Sequence, residues 1–147
     1  MYKRILVATD GSKLSKAAVS GAVAMAELCK AELIAVKVVP RYPQTYFEGS
    51  LVLSAADVGK VEAQWVSDAQ EELDKVVEQA RTRGVKARGV VCKSDLVAEA
   101  IIGAAKKHKA ELIVMASHGR RGIKRLLLGS ETQHVLTHST TPVLVLR

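Results

Sequence analysis

Short apolar segments alternate with longer segments of helical period along the 147 residues of this chain. The apolar segments, rich in valine, isoleucine and leucine, span 5–8, 33–39, 85–92, 112–116 and 142–146. Runs of this length and composition predict buried strands, and the segments between them predict helices. This alternation indicates an α/β fold, with a parallel sheet covered by helices on both faces. No linker or low-complexity segment interrupts the pattern, so we expect one domain over residues 1–147.

The helical segments carry three further signals. In the first of them, small and apolar residues that include Gly21 and Leu28 form the face expected against the sheet. The Ser-Asp pair at 94–95 is expected to cap the helix that follows the third strand. The sequence Lys-Ala-Glu-Leu-Ile occurs at 30–34 and again at 109–113, each time where a helix passes into a strand. We interpret this repeat as one helix-to-strand turn used twice.

The charge and composition of the chain limit its partners. The formal net charge is +7, the pI is about 9.6, and the basic residues are spread along the chain. A basic balance suggests anionic partners. Aromatic residues make up only 3% of the chain and none lies within a cluster of lysines and arginines, so nucleic acid is disfavoured. A small phosphorylated ligand fits better.

Neither the apolar stretches nor the cysteines and histidines indicate a membrane segment, a disulfide or a metal site. No apolar stretch approaches membrane-spanning length or the core of a signal peptide, so we expect a cytoplasmic protein without a membrane partner. Cys29 and Cys92 are isolated and are expected to be reduced, buried thiols. His134 and His138 have a spacing that can bind metal, but no third ligand lies nearby, and no metal site is expected.

The most informative segment, from Met115 to Ser130, reads Met-Ala-Ser-His-Gly-Arg-Arg-Gly-Ile-Lys-Arg-Leu-Leu-Leu-Gly-Ser. It places a glycine-rich basic loop between a buried strand and a helix. Glycines let backbone N–H groups approach an anion, and a helix N-terminus adds donors and partial positive charge, so the segment predicts a phosphate site. Ser130 is the expected N-cap, with Gln133 completing a capping box. The loop matches neither the Walker pattern nor Gly-x-Gly-x-x-Gly. The alternative to a phosphate site is a basic surface loop with a glycine turn. In either case the cations of the segment are Arg120, Arg121, Lys124 and Arg125.

The first strand ends at a second polar turn, Thr9-Asp10-Gly11-Ser12. In open parallel sheets, ligands bind outside the carboxyl ends of the strands, where the strand order reverses. If the first and fourth strands are neighbours there, Asp10 and the glycine-rich loop face one crevice. Asp10 could accept hydrogen bonds from an adenine amino group or a ribose hydroxyl, or could serve only in an Asx turn or helix cap. His118 is the histidine best placed to contact a ligand, with a solvent-facing position as the alternative.

Together these residues resemble the universal stress protein family, whose ATP-binding branch carries Gly-x-x-Gly, nine residues, and then Gly-Ser or Gly-Thr. Here Gly119 is followed by nine residues and then by Gly129 and Ser130. The resemblance extends over the whole chain. Residues 1–12 are similar to the family's opening strand and aspartate turn, residues 33–38 to its second strand, and residues 141–146 to its closing strand.

The resemblance implies a fold, a cofactor and a set of site residues. The implied fold is a single open, mostly parallel five-stranded sheet, Rossmann-like, in the order 3-2-1-4-5, with helices on both faces. The implied assembly is a homodimer that pairs the C-terminal strands, 142–146, in antiparallel fashion. The implied cofactor is ATP, alone or with Mg²⁺. Asp10 and the backbone of Val38 would hold the adenine end, and Gly119, Gly129 and Ser130 the ribose and phosphates. Ala116 departs from the motif, since the family has its first glycine there. The residues expected to line the site are Ala8, Thr9, Asp10, Val38, Met115, Ala116, Ser117, His118, Gly119, Arg120, Gly122, Gly129, Ser130 and Glu131.

By this resemblance, we expect a regulatory ATP-binding protein of the stress response. No residue is expected to be catalytic, because the loop supplies neither an evident water-positioning base nor a dedicated magnesium ligand. Slow ATP hydrolysis, with Asp10 as the metal contact, is one alternative. An interaction module of the same fold, which binds a protein partner and no nucleotide, is another. Residues 41–56 show no clear period and are expected to form the longest loop.

Overall fold

The computed structural model of the protein describes residues 1–43, 54–119 and 128–147 and contains a five-stranded sheet. In chain order the elements are β1 (Arg4–Ala8), α1 (Lys13–Cys29), β2 (Glu32–Val39), α2 (Ala55–Thr82), β3 (Ala87–Lys93), α3 (Val97–Lys107), β4 (Leu112–Ala116), α4 (Ser130–His138) and β5 (Val143–Leu146). The strands lie in the order β3-β2-β1-β4-β5, and all four neighbouring pairs are parallel. The predicted α/β fold and strand order are therefore confirmed.

The sheet separates two hydrophobic clusters, one on each face. Successive strand residues point to opposite faces, so Ile5 and Val7 of β1 pack with α1 and α2, whereas Leu6 packs with α3 and α4. All three side chains are fully buried. Aliphatic residues and alanines fill both clusters. Helices therefore cover both faces, as predicted from the apolar strands.

Helix α1 packs on the sheet through a face other than the predicted one. Its buried residues form a stripe that includes Ala18, Ala22 and Ala26, whereas Leu28 is 82% exposed. Gly21 lies beside β5 instead, since a Cβ built on it would come within 2.5 Å of Leu146 Cδ1. Small alanine side chains let the helix lie close to the strands, and this close packing leaves the bulkier leucine of the other stripe outside.

Helices α1, α2 and α3 enter the next strand through the same kind of turn. In each, a residue in the left-handed region follows the helix, namely Lys30 at φ 55°, Gly84 at φ 74° and Lys109 at φ 54°. The N–H of the next residue donates to the carbonyl five positions back, at 2.8 to 3.0 Å in the three turns. These bonds define Schellman turns. The repeated Lys-Ala-Glu-Leu-Ile is thus one turn used twice, as its position in the sequence predicts.

Helix α3 begins without the predicted Ser-Asp cap. Its N-cap is Leu96, whose side chain accepts no hydrogen bond. Ser94 Oγ accepts the N–H of Leu96 at 3.1 Å, which closes a local turn before the helix. Asp95 Oδ1 accepts the N–H of Arg41 at 2.9 Å. Both side chains are engaged outside the helix, which leaves the first turn of α3 to be capped from another element.

The residues that follow β2 are fastened to α2. The N–H of Tyr42 donates to Glu62 Oε1 at 2.9 Å, and the Tyr42 ring stacks on Trp65 with centroids 6.0 Å apart. Lys93 pairs with the other oxygen of Glu62. The Lys93 ammonium, and then the Tyr42 N–H, hold the pKa of the Glu62 carboxyl below its usual range. Of the predicted loop 41–56, residues 44–53 lie outside the described residues, and α2 begins at Ala55.

Candidate functional site

A cavity of about 480 Å³ opens at the carboxyl edge of the sheet, where β1 and β4 lie side by side and the strand order reverses. Its walls come from the ends of β1, β2 and β4 and from the N-terminal turns of α1, α3 and α4. Asp10, which follows β1, and Gly119, which follows β4, both line it. The sequence prediction that the aspartate turn and the glycine-rich loop face one crevice is therefore confirmed for the described residues.

At the β1 side of the cavity, hydroxyl groups form a hydrogen-bonded chain whose direction is fixed. Ser15 Oγ donates to the carbonyl of Ser12 at 2.9 Å, so its single proton is used there. The 3.1 Å contact between Thr9 Oγ1 and Ser15 Oγ must then be donated by Thr9. Thr9 Oγ1 in turn accepts the N–H of Gly11 at 3.2 Å. Thr9 and Ser15 can therefore offer oxygen lone pairs to a ligand, but not protons.

Asp10 closes this turn and lies against Gly119. Asp10 Oδ1 accepts the N–H of Ser12 at 2.9 Å, which is the predicted Asx turn. Ser12 caps α1 by accepting the N–H of Ser15 at 3.2 Å. Asp10 Oδ2 lies only 2.5 Å from the position that a Cβ on Gly119 would take. Gly119 is not in the left-handed region, so the backbone conformation does not call for glycine there, and a larger residue would have to displace the Asp10 carboxylate.

The main chain of Val38 faces the cavity because of the strand geometry. Thr9 N–H donates to the carbonyl of Val36 on the β1 side of β2, and Ser94 N–H donates to the carbonyl of Val39 on the β3 side. Alternate residues of a strand direct their polar groups to alternate neighbours. Val38 therefore directs its N–H and C=O toward β1, which has already ended at Ala8. One main-chain donor and one acceptor consequently lie side by side at this wall.

Helix α4 directs its N-terminus at the cavity, and its N-cap is Gly129, so the prediction that Ser130 is the cap is wrong. Ser130 is the first helical residue, and the predicted capping box with Gln133 does not form. The helical ladder begins with Gln133 N–H donating to the carbonyl of Gly129 at 2.9 Å. The N–H groups of Ser130, Glu131 and Thr132 precede that ladder, and no N-cap side chain covers them. They supply the donors and the positive end of a helix dipole.

Two hydrogen bonds fasten the start of α4 to the end of β4. Gly129 N–H donates to the carbonyl of Ser117 at 2.7 Å, and the Thr132 hydroxyl donates to the carbonyl of Ala116 at 2.9 Å. A Cβ on Gly129 would lie 3.0 Å from Cα of His118. Gly129 therefore allows a close contact with the chain after β4, which a side chain would make tighter. Its N–H bonds within the protein, so the main-chain donors that remain at this helix start are those of the residues that follow it.

Glu131 joins α4 to α3 beside the cavity. Its Oε2 accepts the N–H of Ala98 at 2.9 Å, which supplies from another helix the cap that Leu96 does not provide. The carboxylate therefore lies near the N-termini of both helices and partly offsets their positive ends. Among the described lining residues, Asp10 and Glu131 are the acidic ones. The cavity thus has acidic groups on two sides.

One protein family matches both the sequence and the fold. The profile of the universal stress protein family matches residues 1–147. The chain belongs to the universal stress protein family. Universal stress protein MJ0531 from Methanocaldococcus jannaschii is 35% identical over 149 residues, which cover 100% of this chain and 83% of that protein. Among solved structures, the universal stress protein UspA from Lactobacillus plantarum is 25% identical with a TM-score of 0.81, covering 99% of this chain and 98% of the other. A universal stress protein in complex with cAMP is 30% identical with a TM-score of 0.69, covering 99% and 97%.

This universal stress protein brings most of its predicted site residues to this cavity. Those that line it are Ala8, Thr9, Asp10, Val38, Met115, Ala116, His118, Gly119, Gly129, Ser130 and Glu131. Ser117 is buried instead, with its hydroxyl 3.2 Å from Nδ1 of His118. Arg120 and Gly122, with the other loop cations Arg121, Lys124 and Arg125, lie outside the described residues.

Five lining residues of this universal stress protein are absent from the predicted set, namely Ser15, Val36, Val97, Ile101 and Thr132. The two-residue period of a strand could have identified Val36 from Val38. Val97 and Ile101 are four apart, and this helical spacing places them on one face of α3. Thr132 follows once the start of α4 is known. Ser15 is a helix-cap candidate whose link to Thr9 no local pattern indicates.

The histidines and cysteines form no metal-binding group in the part of the chain that the structure describes, where no cluster of three or more His, Cys, Asp or Glu could hold an ion. The rings of His134 and His138 lie with centroids 4.2 Å apart and planes tilted by 33°. Cys29 and Cys92 are free but half-buried, which corrects the prediction of buried thiols, and burial raises the pKa of Cys92. Over the same described ranges, no helix has the length and apolarity needed to cross a membrane.

Proposed function

We propose that this chain binds an adenine nucleotide, ATP alone or with Mg²⁺, in the cavity at the carboxyl edge of the sheet. The observation that carries the proposal is the chemical contrast between two sides of the cavity. The β1 side offers acceptors from Asp10, Thr9 and Ser15, and the α4 side offers main-chain donors at the positive end of a helix. A nucleotide has matching groups at its two ends, with amino and hydroxyl donors on adenosine and anionic oxygens on the phosphates.

The adenosine end fits the β1 and β2 side. The adjacent N–H and C=O of Val38 complement a ring nitrogen and the amino group on one edge of adenine. Val97 and Ile101 add apolar surface for a flat base. The Asp10 carboxylate is suited to a ribose hydroxyl, because an ionised carboxylate only accepts hydrogen bonds.

The phosphates fit the α4 side, at the N–H groups of Ser130, Glu131 and Thr132. Gly119 lies against the Asp10 carboxylate beside this side of the cavity. Arg120 and Gly122 belong to the proposal through the family motif. A related universal stress protein of known structure is in complex with cAMP, which supports an adenine nucleotide as the ligand class.

The role we propose is regulation in the cytoplasmic stress response rather than catalysis. The cavity joins the turn after β1 to the first turns of α3 and α4, so an occupant would tie these elements together. A ligand that binds the folded form stabilises it by about 2.7 kcal/mol at a hundredfold excess over Kd. Occupancy would thereby change the surface that partner proteins meet. Residues 1–147 form the nucleotide-binding domain in this proposal.

Two substitutions test the two ends of the cavity separately. Asp10→Asn keeps an oxygen for the Ser12 N–H but removes the charge, and we expect about tenfold weaker ATP binding, as for loss of a hydrogen bond to a charged group. Binding of inorganic tripolyphosphate should stay equal or become tighter. Asp74→Asn, on the exposed side of α2, is the matched control. Equal weakening of ATP and tripolyphosphate by Asp10→Asn would show that Asp10 acts only on the turn.

Ser130→Pro tests the main-chain donors of α4. Proline is tolerated at the first helical position and removes one N–H, and Gly129, at φ −58° and ψ 149°, has the extended backbone that a residue before proline needs. We expect ATP and tripolyphosphate to lose affinity together, whereas Ser130→Ala, which keeps the N–H, should lose less. Calorimetric titration measures both variants, and mass spectrometry of the nucleotide that co-purifies identifies the ligand. No co-purified nucleotide and no melting shift in excess ATP and Mg²⁺ would favour the interaction-module alternative.

We also propose that the protein is a homodimer in which β5 pairs with β5 of a second copy. The two outermost strands of the sheet differ in charge. Strand β3 carries Arg88 and Lys93, whereas Val143–Leu146 of β5 has only apolar residues. Charged residues protect an edge strand from pairing, and β5 has no such protection.

The pairing can be tested at Val145, whose polar groups point outward. The carbonyls of Pro142 and Leu146 accept bonds from β4, so alternation directs the N–H of Val145 to the open edge. Val145→Pro should remove a bond of the dimer without removing one of the β4–β5 ladder, and should yield monomers by light scattering after size exclusion. Val145→Thr keeps the N–H and should remain dimeric. A dimer that persists in the proline variant would exclude this interface.

A further inference from the structure

The edge of the sheet opposite the cavity carries the net charge of the molecule. Because the strands are parallel, their amino ends and the C-termini of the helices meet at one edge. We define this amino face by the described segments 1–4, 27–32, 81–88, 106–111 and 138–143. These segments contain ten lysines and arginines and three glutamates, an excess of seven that equals the formal net charge of +7 for the whole chain. These ten cations are scattered in the sequence, and the fold brings them to one face.

The three glutamates of the amino face are already engaged. Glu27 pairs with Arg83, Glu32 lies 3.1 Å from Arg88, and Glu111 accepts the main-chain N–H of Lys3 at 2.5 Å. The exposed lysines of this face, together with exposed Arg81, therefore dominate its potential. The lysines are Lys3, Lys30, Lys86, Lys106, Lys107 and Lys109. Lysine is a strongly hydrated point charge on a flexible stem, suited to a diffuse anionic surface rather than to the paired recognition of one phosphate.

The amino face also exposes apolar side chains. Among the large hydrophobic residues that the structure describes, Met1 at 101% and Leu28 at 82% are the most exposed, and both lie in this face. An exposed apolar side chain among lysines contributes nothing to binding the phosphate backbone of a nucleic acid. Tyr2, the aromatic residue of these segments, packs against the core and offers no stacking surface.

We infer that the amino face binds the surface of an anionic lipid bilayer, with its lysines at the headgroups and Leu28 entering the interface. Attachment to a surface requires no membrane-spanning segment, so it is compatible with the lack of a spanning helix in the described parts of the chain. It departs from the expectation of no membrane partner, which rested on the lengths of the apolar stretches. The attraction of each lysine to an anionic surface corresponds to about a fivefold gain in partitioning. The site lies at the edge opposite the nucleotide cavity and does not depend on the proposed nucleotide.

Sedimentation of the whole protein with vesicles tests the inference. Vesicles of equimolar phosphatidylglycerol and phosphatidylcholine should bind the protein at low salt and release it as salt rises, and vesicles of phosphatidylcholine alone should not bind it. The double variant Lys106→Gln with Lys107→Gln should lower the partition coefficient about 25-fold. The matched control, Lys60→Gln with Lys75→Gln on α2, has the same net charge and should lower it much less.

Leu28→Ser tests the apolar contact, and Leu96→Ser is its control, because Leu96 is 62% exposed at the opposite edge. We expect only Leu28→Ser to weaken vesicle binding, by severalfold, with the melting temperatures of all variants unchanged. Equal loss in the two double-lysine variants would mean that net charge alone acts, and would overturn the inference. The inference is also overturned if the protein does not bind the vesicles that contain phosphatidylglycerol. It is likewise overturned if duplex DNA at the same phosphate concentration displaces the protein from those vesicles.

Discussion

Replacing Lys30 or Lys109 by glycine is expected to stabilise the fold, because each lysine holds a left-handed backbone conformation. Their φ values are 55° and 54°. For a residue with a Cβ this conformation brings the side chain close to the following carbonyl oxygen and costs roughly 1–2 kcal/mol. Gly84, at φ 74°, occupies the same place in the turn between α2 and β3 without that strain. The molecule therefore contains two strained copies of a turn and one relaxed copy.

The expected gain is smaller than the strain, because glycine also gives the unfolded chain more freedom, roughly 0.5–1 kcal/mol. Each substitution should then raise the free energy of unfolding by about 0.5–1 kcal/mol. The two turns lie on opposite sides of β1, since Glu32 N–H donates to the carbonyl of Lys3 and Glu111 N–H to that of Arg4. The gains should therefore add in the double variant.

Urea denaturation measures these changes, with an unchanged slope and a higher midpoint expected for each glycine variant. Lys30→Ala is the control that separates conformation from charge, because alanine loses the ammonium but keeps the Cβ. Gly84→Ala should do the reverse of Lys30→Gly and lower the unfolding free energy by about 1 kcal/mol. The reasoning is refuted if Lys30→Ala stabilises as much as Lys30→Gly, or if neither glycine variant is more stable than the parent.

Three further substitutions probe the site and the amino face. Thr9→Val should destabilise the fold by about 1–3 kcal/mol, because the hydrogen-bonded chain loses the Thr9 hydroxyl. Thr9→Ser keeps a hydroxyl and should retain most of the unfolding free energy in the same urea denaturation assay. Glu131→Gln should increase the affinity for ATP about fivefold more than the affinity for AMP, as measured by calorimetry. In water, a phosphate charge roughly 8 Å from the carboxylate is repelled by about 0.5 kcal/mol, and ATP carries about two more such charges than AMP. The same change at exposed Glu99 should discriminate less, and equal effects on ATP and AMP would contradict the argument. Burial, and then Arg88, lower the pKa of His108 below its usual 6.5. Between these two pKa values the unfolded chain binds more protons, so the unfolding free energy falls as pH falls through that window. His108→Gln should flatten this dependence, and an unaltered slope would count against it.

The parts of the fold that the sequence predicts are those written in local patterns. Apolar runs identify the five strands, and the paired Lys-Ala-Glu-Leu-Ile segments identify two equivalent turns. The spacing from Gly119 to Gly129 predicts that both glycines face one cavity, and both line it, each where a Cβ would make a close contact. The strand order came from the family resemblance rather than from any pattern in the residues.

The errors arise where a distant contact decides a local choice. Gly129 rather than Ser130 caps α4, because the chain after β4 lies against it and accepts its N–H. The cap of α3 is Glu131, which is 33 residues away from Ala98 in the sequence, so no local capping rule finds it. Helix α1 carries two apolar stripes, and only the approach of the sheet selects the alanine one.

The bonds from Gly129 to Ser117 and from Thr132 to Ala116 have a practical consequence for engineering. They fasten the start of α4 to the end of β4 at two points, on either side of the segment that joins the two elements. Doubling the length of a chain segment whose ends are held together costs only about 0.6 kcal/mol in closure entropy. We therefore expect a peptide inserted after Gly122 to leave α4 in its place on the sheet.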